Sequence, residues 1–380
     1  MYGEINVCGI YGRKGIENES ESKNEKKGQK MISNKEYKEC IKICSAGIYR
    51  DIQIHKGKFL ISGATGLIGT ALINCLLEMN DTYAADFKVI AMAQSKERAI
   101  HTLGMYSGRA DLEFVSSDVN NPIPELGEVD YIIHAASNTH PLAYSSDPIG
   151  TIKTNIIGTN NLLDYAVSYL KKRFVFLSSV EIYGENRGGK ASFSEMDCGY
   201  LNCNQVRSGY PESKRAGESL CCAYEKKYGI DIVIPRLCRV YGPTMGQNDS
   251  KALAQFIKKA VDGKDIVLKS KGQQFYSYIH VIDAVTAIFY ILDKGKSGEA
   301  YNVSSQLSDI KLSDLAKKLS EISGTKVVFE VPDEFEKQGY SNATNAILDN
   351  TKLKKLGWKE TYDIDSGLRM TVQILKNLKD

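Results

Sequence analysis

A glycine-rich turn directly after a short apolar run constrains the fold more than any other feature of the sequence. The apolar run covers residues 59–62, the turn reads Gly-Ala-Thr-Gly-Leu-Ile-Gly over 63–69, and a helical apolar pattern continues to residue 79. A strand that enters a helix through such glycines opens a βαβ unit, and the free N–H groups at the helix start favour a pyrophosphate. We therefore predict a dinucleotide site at Gly63, Thr65, Gly66, Leu67, Ile68 and Gly69.

Strand-like and helical segments alternate beyond this turn. Further buried-strand candidates are residues 89–92, 112–115, 131–133, 174–177 and 232–234, with helical patterns between most of them. Strands that alternate with helices form a parallel sheet covered on both faces. The fold class predicted is α/β, a Rossmann doubly wound parallel sheet with a smaller C-terminal α+β domain.

The N-terminal region has a different character. Residues 17–30 are almost entirely polar and cannot bury enough apolar surface to offset their ordering entropy, so we expect a mobile segment. Tyr37, Ile41 and Cys44 recur at helical spacing after Asn34, a suitable N-cap. These residues predict a helical arm that packs either on the domain or on a second subunit.

Composition excludes several functional classes. Lys and Arg number 49 against 46 Asp and Glu, and the net charge of +3 gives no reason to expect nucleic acid as a partner. The nine cysteines contain no CxxC pair, so we expect reduced thiols, a cytoplasmic protein and no metal site. The most apolar stretch, 281–292, contains Asp283 and is too short to span a membrane.

The sequence Tyr210-Pro-Glu-Ser-Lys214 indicates proton-transfer chemistry. Pro211 suits the first turn of a helix, and the spacing of four places the Tyr210 and Lys214 side chains on one helix face. A nearby ammonium group favours the phenolate, which makes the tyrosine a candidate base near neutral pH.

The cofactor preference stays open at this stage. Residues 93–98, after the second strand, contain no acid at the place where one would bind a ribose 2′-hydroxyl. Arg98 is a candidate contact for a 2′-phosphate, or it belongs to an ordinary solvated helix start, so NAD and NADP both remain possible. Asp118 and Val119 follow the third strand, where they are placed to contact adenine, although Asp is also a common turn residue.

Six motifs together resemble those of the extended short-chain dehydrogenase/reductases, in particular the nucleotide-sugar epimerase/dehydratase group. They are the glycine turn, His134-Ala-Ala, Asn155-Ile-Ile-Gly-Thr, the segment 178–184, Tyr210-xxx-Lys214 and the segment 236–243, in the family's order. The resemblance runs from about residue 56 to near the C-terminus. It implies an NAD cofactor with NADP as the alternative, a nucleotide-diphosphate sugar as substrate, and a homodimer through helices at 155–166 and 210–228.

The resemblance also assigns roles to residues. Tyr210 would exchange a proton with a sugar hydroxyl, Ser179 would hydrogen-bond the same oxygen, and Lys214 would hold the nicotinamide ribose and lower the tyrosine pKa. Asn155 would position this network, and residues 184–209 would arch over the sugar. Further cofactor contacts fall on Asp118, Val119, Ala135 and Ala136, and substrate contacts on Ser137, Arg239 and Tyr276.

Departures from the family pattern bear on the reaction. Val180 and Glu181 stand where dehydratases carry an Asp-Glu pair, which argues against 4,6-dehydration. Simple 4-epimerases usually lack the glutamate, whereas nucleotide-sugar decarboxylases keep it; alternatively, Glu181 only hydrogen-bonds the loop backbone. Arg239 stands where many relatives place an asparagine for the substrate diphosphate, and an arginine there is suited to bind a phosphate or a sugar carboxylate. Tyr276 stands where relatives usually carry an arginine that contacts the diphosphate, so Arg239 either compensates for that arginine or forms a structural salt bridge.

The resemblance implies an NAD(P)-dependent enzyme that oxidises a nucleotide-linked sugar transiently at C4, with epimerisation as the predicted outcome. A UDP-glucuronate-type decarboxylase and an NADPH-dependent keto-sugar reductase are the alternatives. A non-catalytic Rossmann sensor is disfavoured because Ser179, Tyr210 and Lys214 are intact. The predicted organisation is a mobile segment at 1–33, an arm at 34–56, an NAD(P)-binding domain at 57–236, and a mainly substrate-binding domain at 237–380, from which 281–305 returns to the cofactor domain.

Overall fold

The computed structural model describes residues 31–139, 144, 146–331 and 344–379. The prediction of a mobile segment falls on residues 1–30, which lie outside the described residues, and on residues 31–33. Residues 31–33 form a helical turn in which Met31 and Ile32 are buried.

The elements alternate as the apolar pattern indicates. The strands are β1 (Lys56–Ser62), β2 (Asp86–Ala93), β3 (Leu112–Ser116), β4 (Val129–His134), β5 (Leu170–Phe176), β6 (Ser178–Ser179), β7 (Asp231–Leu237), β8 (Arg239–Tyr241), β9 (Ile266–Leu268), β10 (Phe275–His280), β11 (Glu299–Val303), β12 (Ser305–Lys311), β13 (Val327–Phe329) and β14 (Asn345–Ala346). The helices are α1 (Lys35–Asp51), α2 (Leu67–Tyr83), α3 (Lys96–Leu103), α4 (Pro148–Tyr169), α5 (Gly209–Tyr228), α6 (Ala252–Val261), α7 (Val281–Lys294), α8 (Leu312–Ser323), α9 (Thr351–Lys354) and α10 (Ile364–Asn377).

The larger sheet is parallel throughout. Within the described residues it has eight strands in the order β11-β7-β5-β4-β1-β2-β3, and β6 pairs with β7 beside β5. In the centre, Phe59 of β1 lies opposite Val89 of β2 and Tyr131 of β4. The strand order reverses between β1 and β4, and the crevice at such a switch point is where ligands bind in open α/β sheets.

Both faces of this sheet are covered, as a doubly wound fold requires. Because neighbouring residues of a strand point to opposite faces, β1 contributes to two hydrophobic clusters. Phe59 and Ile61 belong to the cluster that includes α2 and α7, whereas Leu60 belongs to the cluster that includes Leu162 and Leu163 of α4. The predicted fold class is therefore confirmed.

The C-terminal part builds a second, smaller sheet. Strand β10 pairs antiparallel with β12 and parallel with β8 and β14, and β9 pairs separately with β13. The chain crosses from the large sheet to the small one between β7 and β8, and α7 with β11 returns it to the large sheet. This crossing places Arg239 at the start of β8, beside β10, which carries Tyr276.

The N-terminal helix α1 packs against α2 and α7 of the same chain. Asn34 caps it by accepting a hydrogen bond from the Tyr37 backbone N–H at 2.9 Å. The Asn74 amide of α2 donates to the Tyr37 hydroxyl at 2.7 Å, and Cys44 lies 3.3 Å from Cys75 between their sulfur atoms. Of the two sequence-based alternatives for the arm, packing on its own domain is the one observed.

No helix within the described ranges combines the length and the apolar character needed to cross a membrane. The same residues hold no group of three or more metal-ligating side chains.

Candidate active site

The glycine turn (residues 63–69) is packed too tightly for side chains at two of its positions. Gly63 has a φ of +69°, and a Cβ there would lie 2.7 Å from the Ala135 carbonyl oxygen and the Ala136 nitrogen. A Cβ on Gly69 would lie 2.3 Å from the Gly63 carbonyl oxygen. The turn therefore presses against the end of β4 through backbone atoms alone.

The start of α2 offers unpaired N–H groups. Gly66 is its N-cap and supplies no capping side chain, and the first turn of the helix contains no acidic residue. Gly66 is exposed, while Thr65, Leu67 and Ile68 are half-buried. This end can hold a diphosphate through N–H groups and the helix dipole, so the residues fit the predicted cofactor.

The end of β4 is fixed behind the glycine turn by a buried histidine. The Ser62 hydroxyl lies 2.8 Å from His134 Nδ1, and the Ala136 N–H donates to Ser62 Oγ at 3.3 Å. Burial, aided by the charge of Lys214, lowers the pKa of His134 to about 3. The ring is thus neutral at physiological pH and serves to hold Ala135 and Ala136 in place.

The end of β2 shows an ordinary helix start. Ser95 caps α3 by accepting a hydrogen bond from the Arg98 N–H at 3.1 Å, and its hydroxyl donates to Glu97 at 2.8 Å. Asp118 accepts from the Asn120 N–H at 2.9 Å, which makes it a turn residue at the edge of the site. Val119 is buried beneath it against Gly158 of α4.

Tyr210 and Lys214 lie on the first turns of α5, and both are buried. The Lys214 ammonium donates to the Leu177 carbonyl oxygen at 2.9 Å and lies 4.8 Å from the centre of the Phe176 ring. Burial lowers the pKa of Lys214 to about 8. The ammonium is therefore held at the end of β5 and is close to losing its proton near neutral pH.

Burial raises the pKa of Tyr210 to about 12. Hydrogen bonding with Ser179 and Ser137 and the positive charge of Arg207 oppose this rise, whereas the charge of Glu181 adds to it. The two serine hydroxyls predicted from the sequence thus converge on the phenol. Arg207 is the cation among the main causes of this pKa, while the Lys214 ammonium donates to the Leu177 carbonyl oxygen.

Asn155 connects the serines to the tyrosine backbone. Its amide donates to Ser213 Oγ at 2.9 Å, and its side-chain oxygen accepts from Ser137 Oγ at 2.7 Å. The Ser213 hydroxyl donates to the Tyr210 carbonyl oxygen at 2.9 Å. Since Asn155 is fully buried, this chain of hydrogen bonds fixes where the Ser137 hydroxyl sits relative to the phenol.

Glu181 lies between two arginines that we call the arginine pair, Arg207 and Arg239. Arg207 Nη2 is 2.7 Å from one carboxylate oxygen of Glu181, and Arg239 Nη2 is 3.5 Å from the other. Burial disfavours the charged carboxylate, but the two guanidinium groups outweigh burial and hold the pKa of Glu181 below its ordinary value. The alternative that Glu181 serves only the loop backbone does not describe this arrangement.

Each arginine of the pair lies over a tyrosine ring. Arg239 is 3.5 Å from the centre of the Tyr276 ring, and Arg207 is 4.9 Å from that of Tyr144. The Tyr144 ring in turn stacks on Tyr210, with ring centres 4.9 Å apart. The predicted substrate residues Arg239 and Tyr276 therefore contact each other and connect to the tyrosine through the arginine pair.

The structure thus arranges the predicted residues in two adjoining groups. Ser137, Asn155, Ser179 and Tyr210 form the first, and Glu181, Arg239 and Tyr276 form the second. Sequence reasoning missed Arg207 and Tyr144. The one local signal for Arg207 is its position three residues before Tyr210, while Tyr144 joins the site only through tertiary packing.

An open cleft lies beside these groups. It is lined by Glu181, Arg239 and Pro211 and, from the segment 184–209, by Gly184, Glu185, Leu201, Asn202, Gln205, Arg207 and Ser208. The segment that the sequence placed over the sugar therefore borders a cleft next to the tyrosine.

Comparison with known proteins gives a consistent result. A family model described as the NAD dependent epimerase/dehydratase family matches residues 59–304. UDP-glucuronic acid decarboxylase 5 of Arabidopsis thaliana is 31% identical over 317 residues, which cover 82% of this chain and 87% of that protein.

Two solved structures share the fold. The dTDP-glucose 4,6-dehydratase DesIV from Streptomyces venezuelae, a double mutant with NAD bound, aligns with a TM-score of 0.72 and 25% identity over 83% of this chain and 96% of that chain. UDP-glucuronic acid 4-epimerase from Bacillus cereus, in complex with UDP-glucuronic acid and NAD, aligns with a TM-score of 0.72 and 23% identity over 84% of this chain and 99% of that chain.

These matches confirm the predictions of an enzyme, of NAD as its cofactor and of a nucleotide-sugar reaction. They agree with the observed geometry, in which a dinucleotide turn, a buried tyrosine and an arginine-lined cleft adjoin one another. The chain belongs to the NAD dependent epimerase/dehydratase family.

Proposed function

We propose that the protein oxidises the C4 hydroxyl of a nucleotide-linked sugar and returns the hydride to the same carbon, so that NAD is recycled in each turnover. The observation that carries this proposal is the convergence of the Ser137 and Ser179 hydroxyls on the buried Tyr210 phenol. A sugar hydroxyl seated there has a proton acceptor and a hydrogen-bond donor within reach of one oxygen.

Each residue of the site has a distinct task in this proposal. Tyr210 takes the proton of the C4 hydroxyl, Ser179 holds the same oxygen, and Asn155 keeps the hydrogen-bonded chain in register. Bound NAD would supply the hydride acceptor and a positive charge beside the phenol. The charge matters because a tyrosine with a pKa of about 12 remains protonated at neutral pH in the chain alone.

Epimerisation is the simplest outcome, since it needs only reduction of the keto sugar from its other face. Decarboxylation of a hexuronic acid is the second candidate. It is supported by the similarity to a UDP-glucuronic acid decarboxylase and by Glu181, which is half-buried between the two arginines of the pair. A keto-sugar reductase has less support, because residues 95–98 form an ordinary capped helix start.

Assembly and location also enter as proposals. Helices α4 and α5 pack side by side, and they leave Ile149, Ile157, Val167 and Tyr228 exposed. Apolar side chains on paired helices support a homodimer, which sedimentation at several concentrations would test.

Free cysteines throughout the described residues support a cytoplasmic protein. In this proposal residues 57–236 form the cofactor domain, and residues 237–380 mainly form the substrate domain, with 281–305 returning to the cofactor domain.

The decisive experiment incubates the purified protein with UDP-, dTDP-, GDP- and CDP-linked hexoses and hexuronic acids, with and without added NAD. An unchanged mass with a new chromatographic position indicates epimerisation, and loss of carbon dioxide indicates decarboxylation. Loss of water or gain of two hydrogens would instead indicate a dehydratase or a reductase. Tyr210→Phe serves as the control and should abolish turnover; if it leaves the rate unchanged, the proposal is wrong.

A further inference from the structure

The charges around Glu181 do not balance. The arginine pair brings two positive charges to the cleft, and Glu181 brings one negative charge between them. The other charged groups nearby are already matched, because Lys251 pairs with Asp249 and Glu185 pairs with Arg187. One positive charge is left over in a site where the three side chains are only 16 to 20% exposed.

The arginine pair also has unused hydrogen-bond donors. Nε of Arg207 and Nη1 of Arg239 are both buried, and neither has a partner among the residues that the structure describes. Buried donors without partners are costly, and a buried charge without a counter-ion costs still more. Both arginines line the cleft, so an anion with two oxygens that enters it would supply the missing negative charge and accept hydrogen bonds from the exposed part of each guanidinium group.

The position of the pair relative to Tyr210 identifies which anion of a nucleotide sugar this would be. Arg207 precedes Tyr210 by three residues and is linked to it through the Tyr144 ring, and Glu181 follows Ser179 by two. The arginine pair therefore lies next to the groups that take the C4 hydroxyl. In a pyranose, C5 with its C6 substituent adjoins C4, whereas the diphosphate is attached at C1 across the ring.

We propose that Arg207 and Arg239 bind a C6 carboxylate, so that the substrate is a nucleotide-linked hexuronic acid and Arg207 is a residue that determines specificity. The inference rests on the proposed C4 chemistry and adds the class of sugar. In the free enzyme Glu181 bridges the two guanidinium groups at the cleft and offsets one of their charges, and the substrate carboxylate supplies the second negative charge.

The rings that hold the arginines support this role. Tyr276 carries Arg239 on its face at 3.5 Å, which fixes the plane of the guanidinium group and reduces the entropy lost when a carboxylate binds. The departure at residue 276 thus has a consistent explanation. The position usually filled by an arginine holds an aromatic ring, and the positive charge comes from Arg239 on the neighbouring strand.

The test measures binding by calorimetry in the NAD-loaded protein. UDP-glucuronic acid, UDP-glucose and UDP are the probes, because they share the diphosphate and differ only in the sugar. Arg207→Met should lower the affinity for UDP-glucuronic acid about tenfold or more, as expected for a lost charge-assisted hydrogen bond, and leave the affinities for UDP-glucose and UDP unchanged. Arg207→Lys keeps the charge without the planar fork, so its affinity for UDP-glucuronic acid should lie between those of Arg207→Met and the wild type.

The matched control is Arg187→Met, an exposed arginine in the same segment, which should change none of the three affinities. Arg239→Met is the second variant, and thermal unfolding of all variants shows that each is folded. An equal loss for all three probes would assign the arginine pair to the diphosphate and overturn the proposal. Wild-type protein that binds UDP-glucuronic acid no better than UDP-glucose, or binds neither, would overturn it as well.

A turnover assay with UDP-glucuronic acid and UDP-glucose, each deuterated at C4, separates this inference from the proposed function. Selective binding of UDP-glucuronic acid without transfer of deuterium to the nicotinamide would leave the carboxylate site standing and refute the C4 chemistry. Oxidation of C4 in UDP-glucose without preference for the uronic acid would do the reverse.

Discussion

Replacing Gly63 by alanine tests the geometry of the glycine turn directly. The added methyl group would lie 2.7 Å from three backbone atoms, the carbonyl carbon and oxygen of Ala135 and the nitrogen of Ala136. This is 0.7 Å short of an ordinary contact of 3.4 Å, and backbone atoms at a sheet end cannot move aside as a flexible side chain does. The residue also has a left-handed φ of +69°, which alanine adopts reluctantly.

The two effects add. A left-handed conformation costs a non-glycine residue about 1–2 kcal/mol, and forcing one extra methyl group into a packed site costs about 1–3 kcal/mol. The free energy of unfolding should therefore fall by roughly 2–5 kcal/mol. With an unfolding entropy of about 2.1 cal/mol/K per residue, this corresponds to a Tm decrease of roughly 2–6 °C in a chain of this length. The displaced turn should weaken NAD binding by about tenfold or more, because the N–H groups of the turn would no longer point at the diphosphate.

Differential scanning calorimetry and titration with NAD measure both quantities. Gly188→Ala is the matched control, since a Cβ there meets nothing within 4 Å, and it should leave Tm and NAD affinity unchanged. If Gly63→Ala bound NAD as tightly as wild type and unfolded at the same temperature, the reasoning about this turn would be refuted.

Three further changes test the rest of the site. Asn155→Ala removes a partner from the buried Ser213 hydroxyl and from the half-buried Ser137 hydroxyl. It should lower the free energy of unfolding by about 1–3 kcal/mol in urea titrations, together with kcat; unchanged values would contradict its positioning role. We propose that the charged Lys214 ammonium helps to hold the nicotinamide ribose, the contact that the family resemblance implies. Then kcat/KM should fall as pH rises through about 8, where the buried ammonium loses its proton, and a flat profile would exclude that role. Glu218→Gln breaks a partly buried bidentate pair with Arg236, beside Ser178, and should lower the free energy of unfolding by about 1.5–3 kcal/mol in the same titrations, whereas replacing both residues by methionine should restore part of the loss.

The cofactor half of the molecule was predictable because its signals are local. A buried parallel strand is a continuous apolar run, so the predicted 89–92 and 232–234 fall inside β2 and β7, although the strands extend further through half-exposed ends. The glycine turn was predictable because its three glycines are visible in the sequence. The structure gives the physical reason for the first of them: the space beside Ala135 admits no side chain at position 63.

The arginine-lined cleft was less accessible to sequence reasoning. Arg207 lies in a polar segment without periodicity, and only the path of residues 184–209 brings it to Glu181. The pairing of Arg239 with Tyr276 depends on the register between β8 and β10, two strands far apart in the chain. Long-range contacts of this kind carry no local pattern from which they can be predicted.

The electrostatics of the tyrosine also depend on burial, which sequence spacing alone does not reveal. A spacing of four residues predicts that Lys214 lowers the pKa of Tyr210. In the folded chain the ammonium donates to Leu177, and burial raises the tyrosine pKa to about 12. The packing of β5 against α5 sets how strongly both groups are desolvated. Because the buried phenol stays protonated in the chain alone, the proposed chemistry relies on the positive charge of bound NAD to favour the phenolate.

The most direct test of the central claim follows the hydrogen on C4 of the sugar. The NAD-loaded protein is mixed with the substrate identified in the nucleotide-sugar panel, deuterated at C4, and the cofactor is recovered during a single turnover for mass analysis. The account predicts that deuterium appears on the nicotinamide in the wild-type protein and not with Tyr210→Phe. Product formation while all the deuterium stays on the sugar and the cofactor remains unlabelled would contradict it.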